Sequence, residues 1–582
     1  MLQQTDTPET VRLSDSINDE EIKYVTVRKT LIKEWLNSLD IYCELEDVPN
    51  IALLGSGGGD RAAVSMLGSL HQLEQDNLLG SLLYMCGVSG TTWCMSSLYS
   101  DPDWSLNKRC DEVIKKMTGP TMDLKKAVDW LIMRKDSDQD FSLTDFWGVF
   151  TACYFMNEMD TRCLSDDAHR DSINPYPIYS AIELDCYRQD DTKAVWFEMT
   201  PHESGFSGLG AFVPTSCLGS RFKGGTLIEK SMEMDMVLLQ GICGSAIADT
   251  KGNIAEVANK IWGLFEGHES MMLKENMNMV ERSGKVKVCE CVPSRVVRFV
   301  FELIKYAEDP DPLKTWKVIT TLRQLLEGLV SSKGEMLWNM DPESWKRTSL
   351  VERKKFIETV SLELILSSDS WAKDWKDQRC NCNDSIFWIV LIFFHLLIEW
   401  KWGTTSNFLF EIKDARVPES MRLKEKIHLV DAALKINSPY PPVLRTSRKV
   451  DLIISLDFSE EDPFETVFSA KQYADELKLP FPPVNDDIRK EKDHPQDCYV
   501  FEGQHTPTIM HMPLFNLQNC HDEDEIKKER EKYKTFQLHY GAPEIDHLLK
   551  KAQANMRNNR DRILEQIIMA IQRRKKRMSV AQ

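Results

Sequence analysis

The sequence predicts an α/β fold, because a strand, a glycine-containing turn and a helix follow one another twice near its start. The first unit has a short apolar run at 48–54, a glycine turn and a helical pattern at 61–73. The second unit has an apolar run at 82–86, a turn, and a helix that ends near Tyr99. Short apolar runs that end in glycine are typical of buried strands.

Four other segments have clear patterns. Residues 427–430 and 450–456 are apolar runs that predict buried strands in the C-terminal third. Residues 21–43 predict an amphipathic helix, with its apolar side chains at helical spacing: Tyr24, Val27, Leu31, Trp35 and Leu39. Residues 545–577 predict a helix that ends in the basic run 573–577, which suits a helix C-terminus and also matches an anionic-lipid contact or a nuclear signal.

Composition limits the classes of function. The 582 residues carry a net charge of -18, which disfavours a nucleic-acid partner, since that needs a basic face. Attraction to a membrane must then come from local basic or apolar patches. The chain has 15 cysteines without the spacing of a zinc site, which favours reduced thiols, and we predict no metal and no cofactor.

Two segments bear on targeting. The first 21 residues are acidic and polar and lack the features of a signal peptide. The apolar run 386–398 is shorter than the roughly 18 residues that predict a membrane span. It fits a buried core helix or an interfacial segment, and it is a candidate lid over the site.

The glycine-rich turn 55–61 follows the first strand and opens a helix. It lacks the Gly-Lys-Ser/Thr of a phosphate-binding P-loop, and Asp60 stands where a dinucleotide fingerprint needs glycine. Such a turn can direct backbone N–H groups at an oxyanion, and Arg61 would add a charge for a phosphate. A tight turn without a ligand is the alternative.

The second turn places a serine between two glycines. In Gly87-Val88-Ser89-Gly90-Thr91, a strand leads into a helix at Ser89, which is typical of a nucleophile elbow. A serine nucleophile needs a base, and none of the 12 histidines lies in a revealing context. Asp431 ends a predicted strand and enters a loop that closes with Asn-x-Pro, while Asp457 ends the next strand and is its rival.

Three motifs together resemble the cytosolic (group IV) phospholipases A2, whose catalytic core is patatin-like. They are Gly-Ser-Gly-Gly-Gly-x-Arg at 55–61, Gly-x-Ser-Gly-Thr-x-Trp at 87–93 and His-Leu-Val-Asp-Ala-x-Leu-x-Ile-Asn-x-Pro at 428–439. The likeness extends over about residues 25–515 and is strongest to the gamma group. It implies a central mixed sheet flanked by helices, with a large inserted cap or lid region.

The resemblance also implies roles for individual residues. Ser89 matches the nucleophile and Asp431 matches the aspartate of a Ser-Asp dyad, which decides against Asp457. The backbones of Gly58 and Gly59 match the oxyanion hole. Two arginines, Arg61 and Arg448, match residues that bind the substrate phosphate. The implied reaction is phospholipase A2 hydrolysis, and also lysophospholipase hydrolysis, through an acyl-enzyme.

The resemblance suggests a division of the chain. A mobile leader at 1–20 precedes a catalytic domain at 21–530, and a C-terminal helix with a basic tail covers 531–582. Within the catalytic domain we expect core halves at about 46–135 and 401–520, separated by a cap-like insertion at about 136–400.

Location and partners follow as expectations. Only 54 residues precede Gly55, fewer than a calcium-dependent C2 domain needs, so we expect activity without calcium. The expected partners are a phospholipid membrane surface and glycerophospholipid and lysophospholipid substrates. The expected location is the cytoplasm, with peripheral association with intracellular membranes and with the nuclear envelope as a further site.

Two positions depart from the family pattern. Asp60 replaces an apolar residue beside the oxyanion donors, where a negative charge would oppose catalysis by roughly 2 kcal/mol. Ala433 replaces a glycine two residues after Asp431, which would strain a positive φ. A lipid-binding or scaffolding protein with little turnover is therefore the main alternative to an enzyme, and a soluble esterase of small substrates is a weaker one.

Overall fold

A computed structural model describes most of the chain. It covers residues 9–119, 124–137, 140–249, 311–326, 341–366, 399–535, 537 and 540–581, with isolated positions between 257 and 306 and between 392 and 397. The chain divides into two compact units. The first unit comprises Met1–Met122, Thr151–Ala246 and Gly403–Gln582, and the second comprises Asp123–Phe150 and Ile247–Trp402.

The first unit is built on a large sheet. In the described ranges the strands, in chain order, are β1 Arg12–Leu13, β2 Ile51–Gly55, β3 Tyr84–Gly87, β4 Tyr176–Glu183, β5 Trp196–Met199, β6 Glu203–Phe206, β7 Ala211–Pro214, β8 Arg221–Lys223, β9 Thr226–Glu229, β10 Thr404–Ser406, β11 Lys426–Asp431, β12 Leu452–Asp457, β13 Tyr499–Phe501 and β14 Thr508–Pro513. Strands β8 and β9 form a separate hairpin, and the other strands share one sheet.

The sheet is mixed, as expected. Its main path runs β1-β7-β6-β5-β4-β3-β2-β12-β14-β13, and β11 joins it by pairing with β4 while β10 pairs with β11. The neighbouring pairs from β4 to β14 along this path are parallel, whereas β4 to β7 and the pair β13–β14 are antiparallel. Strands β2, β3 and β12 are buried along their whole length, which explains their almost continuous apolar sequences.

The helices of the described ranges, in chain order, are α1 Asp19–Ser38, α2 Gly59–Gln75, α3 Gly90–Ser100, α4 Leu106–Thr118, α5 Leu124–Ser137, α6 Leu143–Thr151, α7 Leu184–Arg188, α8 Thr192–Val195, α9 Met236–Cys243, α10 Pro312–Leu326, α11 Pro342–Arg347, α12 Leu350–Leu366, α13 Glu419–Arg422, α14 Tyr440–Leu444, α15 Glu465–Leu477, α16 Glu523–Lys532, α17 Ala542–Asn558 and α18 Arg560–Ala581. Helix α2 packs against α3, α4 and α17. It is therefore buried on most of its surface, which fits its apolar and small side chains.

The buried face of α1 differs from the one that the sequence predicted. The helix exists, but Val27 is 54% exposed, and the buried stripe instead contains Val25, Ile32 and Leu36. Two charged residues, Glu21 and Arg28, also lie on this stripe because each has a buried partner. Apolar spacing alone could not identify a face that includes paired charges.

The predicted insertion at 136–400 is too broad. Residues 176–214 supply β4 to β7, which belong to the main sheet rather than to a cap. The second unit instead starts at Asp123 and omits the segment Thr151–Ala246. Within that second unit the described helices are α5, α6 and α10 to α12. Three of the four strands in 176–214 have only four residues, too few for a clear alternating pattern, whereas β4 has eight.

The two chain ends also differ from the prediction. The described part of the leader is structured, because β1 pairs with β7 and Asn18 caps α1. The C-terminal helix is two helices, α17 and α18. In the basic run, Arg574 and Arg577 both pair with the buried Asp451. These two arginines are therefore engaged in the fold.

The apolar run 386–398 lies mostly outside the described residues. Of its described members, Phe393, Leu396 and Leu397 are buried. Its role as a lid stays a prediction. Within the described residues, no helix is both long and apolar enough to cross a bilayer.

Candidate active site

Strand pairing brings the two halves of the site together. Strand β3 runs parallel to β4 and ends with Gly87 opposite Tyr179. Strand β11 runs antiparallel to β4 and ends with Asp431 opposite Ala181. Because β5 occupies the other edge of β4 at these positions, β3 and β11 lie on the same edge and end head to head. The turn after β3 therefore faces the turn after β11.

Ser89 lies in the turn after β3 with a strained backbone. Its φ is 53° and its ψ is -127°, a backbone conformation that residues other than glycine rarely adopt. The strain is held by Thr91, whose hydroxyl accepts from the Val88 N–H at 2.9 Å and contacts the Gly55 carbonyl at 2.8 Å. Strain maintained by surrounding contacts is typical of functional positions and agrees with the predicted nucleophile elbow.

Asp431 is completely buried at the end of β11. Burial raises the pKa of its carboxyl group to about 7, although the Ala433 N–H, the Ser89 hydroxyl and the Ala246 N–H all favour the charged form. The Ala433 N–H donates to Oδ1 at 2.9 Å. No histidine is among the groups that affect this pKa. The carboxyl is therefore set to exchange a proton near neutral pH.

The hydroxyl of Ser89 interacts with the Asp431 carboxyl, since it lowers the pKa of that group. The carboxyl oxygen Oδ2 nevertheless has no partner within hydrogen-bonding geometry. The contact is therefore close but not fully aligned, as is usual for catalytic pairs without substrate. One carboxyl oxygen is fixed by the backbone and the other remains available to the serine.

The glycine turn packs directly on the serine turn. A Cβ added to Gly57 would lie 2.9 Å from the Ser89 Cβ, and a Cβ added to Gly90 would lie 2.0 Å from the Gly59 carbonyl oxygen. Gly58 caps α2 with a φ of +146°, which favours glycine. The N–H groups of Gly58 and Gly59 belong to the helix end that has no intrahelical acceptors. They are thus suited to stabilise an oxyanion at Ser89.

Asn437 connects the aspartate loop to the glycine turn, and sequence analysis gave it no role. Its carbonyl accepts from the Gly57 N–H at 2.9 Å, and its amide donates to the Ser459 hydroxyl at 2.9 Å. Asp457 in turn accepts from that hydroxyl at 2.9 Å. The Asn-x-Pro ending of the third motif was the signal that marked Asn437.

Asp457, the rival base, has a similar environment but other partners. It is buried, and burial raises the pKa of its carboxyl group to about 7. Its hydrogen bonds are to the backbone and hydroxyl of Ser459, and Ser89 is not among the groups that affect its pKa. Asp457 is therefore linked to the glycine turn through Ser459 and Asn437.

Arg61 is 1% exposed and its donors are in use. Its guanidinium donates to the carbonyl oxygens of Phe458, at 2.7 Å, and Tyr533, and to the hydroxyl of Thr535 at 3.1 Å. These contacts fix the turn after β12 and the turn before α17 to the start of α2. Phosphate binding by Arg61 stays a prediction, and it requires that some of these bonds open.

Arg448 lies in a buried network of charges. Its guanidinium donates to Glu21 at 2.8 Å and 3.0 Å and to Glu198 at 2.8 Å and 3.1 Å, and neither partner is exposed. Arg445 also pairs with Glu198 at 2.5 Å. Arg448 therefore fastens α1 to β5 in this structure. A contact with the substrate phosphate stays a prediction.

The structure shows the surroundings of the two residues that depart from the family pattern. Asp60 is 2% exposed, and burial raises the pKa of its carboxyl group well above its ordinary value, with no cation opposing the shift. Burial thus opposes the charged form of Asp60, and the expected repulsion of an oxyanion by its charge stays a prediction. Ala433 is not among the residues with positive φ, so the expected backbone strain at this position is wrong.

Comparison with known proteins agrees with this geometry. Residues 51–278 match the family model described as a lysophospholipase catalytic domain. The cytosolic phospholipase A2 gamma of Mus musculus is 32% identical over 569 residues, which cover 95% of this chain and 91% of that protein. The Homo sapiens cytosolic phospholipase A2 gamma is 31% identical over 573 residues, which cover 96% of each.

Solved structures show the same fold. The human GIVD cytosolic phospholipase A2 superposes with a TM-score of 0.62 at 19% identity, covering 97% of this chain and 66% of that one. The same human protein in complex with methyl gamma-linolenyl fluorophosphonate gives a TM-score of 0.60, covering 98% of this chain and 67% of that one. Together with the extended similarity in sequence, this shows that the chain belongs to the cytosolic phospholipase A2 family.

Proposed function

We propose that this protein is a phospholipase A2 that also cleaves lysophospholipids, with Ser89 as the nucleophile and Asp431 as its base. The observation that carries the proposal is the strained Ser89, which interacts with a buried carboxyl group and packs against the turn of Gly57 to Gly59. A nucleophile, a base and oxyanion donors are the three parts that acyl transfer requires.

In the first half of the reaction, the Ser89 Oγ attacks the ester carbonyl carbon while Asp431 accepts the serine proton. The carbonyl oxygen becomes an oxyanion, which the N–H groups of Gly58 and Gly59 stabilise. Collapse of this intermediate breaks the bond to the glycerol oxygen, which takes the proton from Asp431. The products of this half-reaction are a lysophospholipid and an acyl-enzyme on Ser89.

In the second half, Asp431 accepts a proton from water, and the resulting hydroxide attacks the acyl carbon. The same N–H groups stabilise the second oxyanion. The bond to the Ser89 Oγ then breaks, and Asp431 returns its proton to that oxygen. A fatty acid leaves and the site is restored.

The environment of Asp431 supports its role as the base. A general base works best with a pKa near the working pH, and that of Asp431 is raised to about 7 by burial. An exposed aspartate, with a pKa near 3.9, would be a much weaker base. The hydrogen bond from the Ala433 N–H fixes Oδ1, and Oδ2 is left for proton transfer.

We further propose that the reaction needs no calcium and takes place at the surface of intracellular membranes, including the nuclear envelope. In the mechanism above, the protein alone supplies the nucleophile, the base and the oxyanion donors. A net charge of -18 implies that membrane contact relies on local apolar or basic patches, as described for the sequence.

The direct experiment is hydrolysis of labelled phosphatidylcholine and lysophosphatidylcholine vesicles by the pure protein, with a calcium chelator present. Release of fatty acid that disappears in Ser89→Ala supports the proposal. Absence of release both with and without calcium, from a folded protein that binds the vesicles, would contradict it. That outcome would favour the alternative, a lipid-binding or scaffolding protein without turnover.

A further inference from the structure

The glycine turn that carries the candidate oxyanion donors has no side chains of its own to hold it. Gly57, Gly58 and Gly59 follow one another, and the last two have φ values of +146° and +58°. Glycine has the widest choice of backbone conformations, so three in succession are costly to order. Their N–H groups can stabilise an oxyanion only if the peptide planes are fixed in advance. The contacts that other segments make with this turn therefore bear on catalysis.

Asn437 contacts Gly57 in three ways. Its backbone carbonyl accepts from the Gly57 N–H at 2.9 Å, and its side-chain Nδ2 donates to the Gly57 carbonyl at 3.4 Å. Its Oδ1 would lie 2.7 Å from a Cβ added to Gly57, so the amide occupies the space of a side chain at that position. One residue thus contacts both polar groups of Gly57 and packs against its Cα.

Ser459 holds the Asn437 amide in place. The Asn437 Nδ2 donates to the Ser459 Oγ at 2.9 Å, and that hydroxyl donates to the Asp457 Oδ2 at 2.9 Å. A hydroxyl that donates its one proton to a carboxylate keeps its lone pairs for the amide. The Ser459 N–H donates to the other oxygen of Asp457, which is buried at the end of β12. The chain of hydrogen bonds is therefore anchored in the main sheet.

The peptide between Gly57 and Gly58 carries this effect to an oxyanion donor. The Gly57 carbonyl and the Gly58 N–H belong to one peptide unit, which is planar and trans. The two groups of a trans peptide point in opposite directions, so a carbonyl held by Asn437 directs the Gly58 N–H away from that amide. The Ser56 hydroxyl donates to the same carbonyl at 3.3 Å. Two side chains thus set the direction of this peptide.

We propose that Asn437 and Ser459 are positioning residues, which hold the Gly57–Gly58 peptide so that the Gly58 N–H faces the oxyanion of the reaction. Neither residue touches the reacting atoms in this role, and both act through Gly58. The inference rests on the proposed function, to which it adds two residues that control how well the oxyanion is stabilised.

The first experiment separates kcat from KM in the hydrolysis of phosphatidylcholine. Asn437→Ala and Ser459→Ala should lower kcat about 10- to 100-fold and change KM less than about twofold, because the oxyanion exists only in the transition state and the intermediates. Ser459→Thr retains the hydroxyl and should keep kcat within about threefold of the wild type. Ser459→Ala removes one hydroxyl and no backbone contact, so it carries the test if Asn437→Ala does not fold.

Ser438→Ala is the matched control. Ser438 adjoins Asn437 and is completely buried, and its Oγ has no hydrogen-bond partner among the described residues. Its exchange should leave kcat and KM unchanged, and an equal loss of kcat there would overturn the inference. A raised KM with unchanged kcat in the Asn437 and Ser459 variants would also overturn it, because both residues line a cavity and would then contact the substrate directly. Unchanged kcat and KM in both would overturn it and leave the proposed function intact.

A transition-state analogue tests the inference without turnover. The carbonyl carbon of an alkyl trifluoromethyl ketone would bond to the Ser89 Oγ, its oxygen becoming an oxyanion while Asp431 takes the serine proton, whereas the corresponding secondary alcohol cannot react. The wild type should bind the ketone more tightly than the alcohol, and this ratio should fall about 10- to 100-fold in Ser459→Ala but not in Ser459→Thr or Ser438→Ala. An unchanged ratio in Ser459→Ala would overturn the inference alone. A wild type that does not prefer the ketone would overturn the proposed function and the inference with it.

Discussion

Gly87 and Asp431 face each other end to end along one edge of β4, opposite Tyr179 and Ala181. Positions two residues apart on a strand are separated by about 7 Å, which leaves room for one turn from each side. Ser89 lies in the turn after β3, and Asp431 is the last residue of β11. The strand register thus brings together the turns that carry the two residues of the proposed dyad.

Exchange of Ser89 tests the strain in the serine turn. Ser89→Gly and Ser89→Ala should both lose hydrolysis, by roughly 10⁴-fold or more, because each lacks the nucleophile. Ser89→Gly should nevertheless be more stable than Ser89→Ala by about 1 kcal/mol, because glycine accepts a φ of 53° without strain. Chemical denaturation measures the difference, and equal stability of the two variants would show that the turn is not strained.

The pH profile tests Asp431 as the base. Since burial raises the pKa of its carboxyl group to about 7, kcat/KM should rise with pH and level off roughly one unit above that value. Asp457 has a similarly raised pKa, so Asp457→Asn is the matched control and should keep the rising limb. If the rising limb is lost in Asp457→Asn, it belongs to Asp457 and not to Asp431. If kcat/KM already levels off below about pH 5, the pKa of the base is not raised by burial.

Asp431 should also cost stability at neutral pH. A carboxyl whose pKa is raised on folding supports the folded state below its unfolded pKa, and that support is lost as pH rises through the folded value of about 7. Asp431→Asn should therefore stabilise the protein by roughly 1–4 kcal/mol above that pH and by little near pH 4. Tm measured across this range gives the comparison. A variant that is less stable at every pH would contradict the prediction.

The role of Arg448, in the fold or in phosphate binding, can be determined by comparing the stability and the activity of a variant. Arg448→Ala leaves Glu21 and Glu198 buried with too little positive charge and should cost about 3–5 kcal/mol. Arg416→Ala, which removes an exposed pair with Asp414, is the control and should leave stability unchanged. If Arg448→Ala folds normally but shows a raised KM for phospholipid, the predicted phosphate contact is correct and the structural role is not dominant.

The sequence predicted the elements that hold the site because each is a short apolar strand followed by a turn with characteristic residues. Strands β2, β3, β11 and β12 all exist near their expected bounds. The strands of 176–214 and the buried face of α1 were not predicted correctly. Both depend on partners distant in the chain, such as the Arg448 that neutralises Glu21, and local spacing cannot reveal such partners.

The charge of Asp60 illustrates the same limit at the site. Its place in the glycine turn could be deduced from the sequence, but the rise in the pKa of its carboxyl group depends on its burial in the folded protein. A sequence gives the residue type, whereas the tertiary structure determines how far it is desolvated.

The most direct test of the account is labelling with a fluorophosphonate probe, followed by identification of the modified residue by mass spectrometry. We expect one adduct, on Ser89, absent from Ser89→Ala and formed at least about 100-fold more slowly in Asp431→Asn, because the probe reacts only with an activated serine. Labelling of another serine, or labelling of Ser89 at an unchanged rate in Asp431→Asn, would contradict the Ser89–Asp431 dyad.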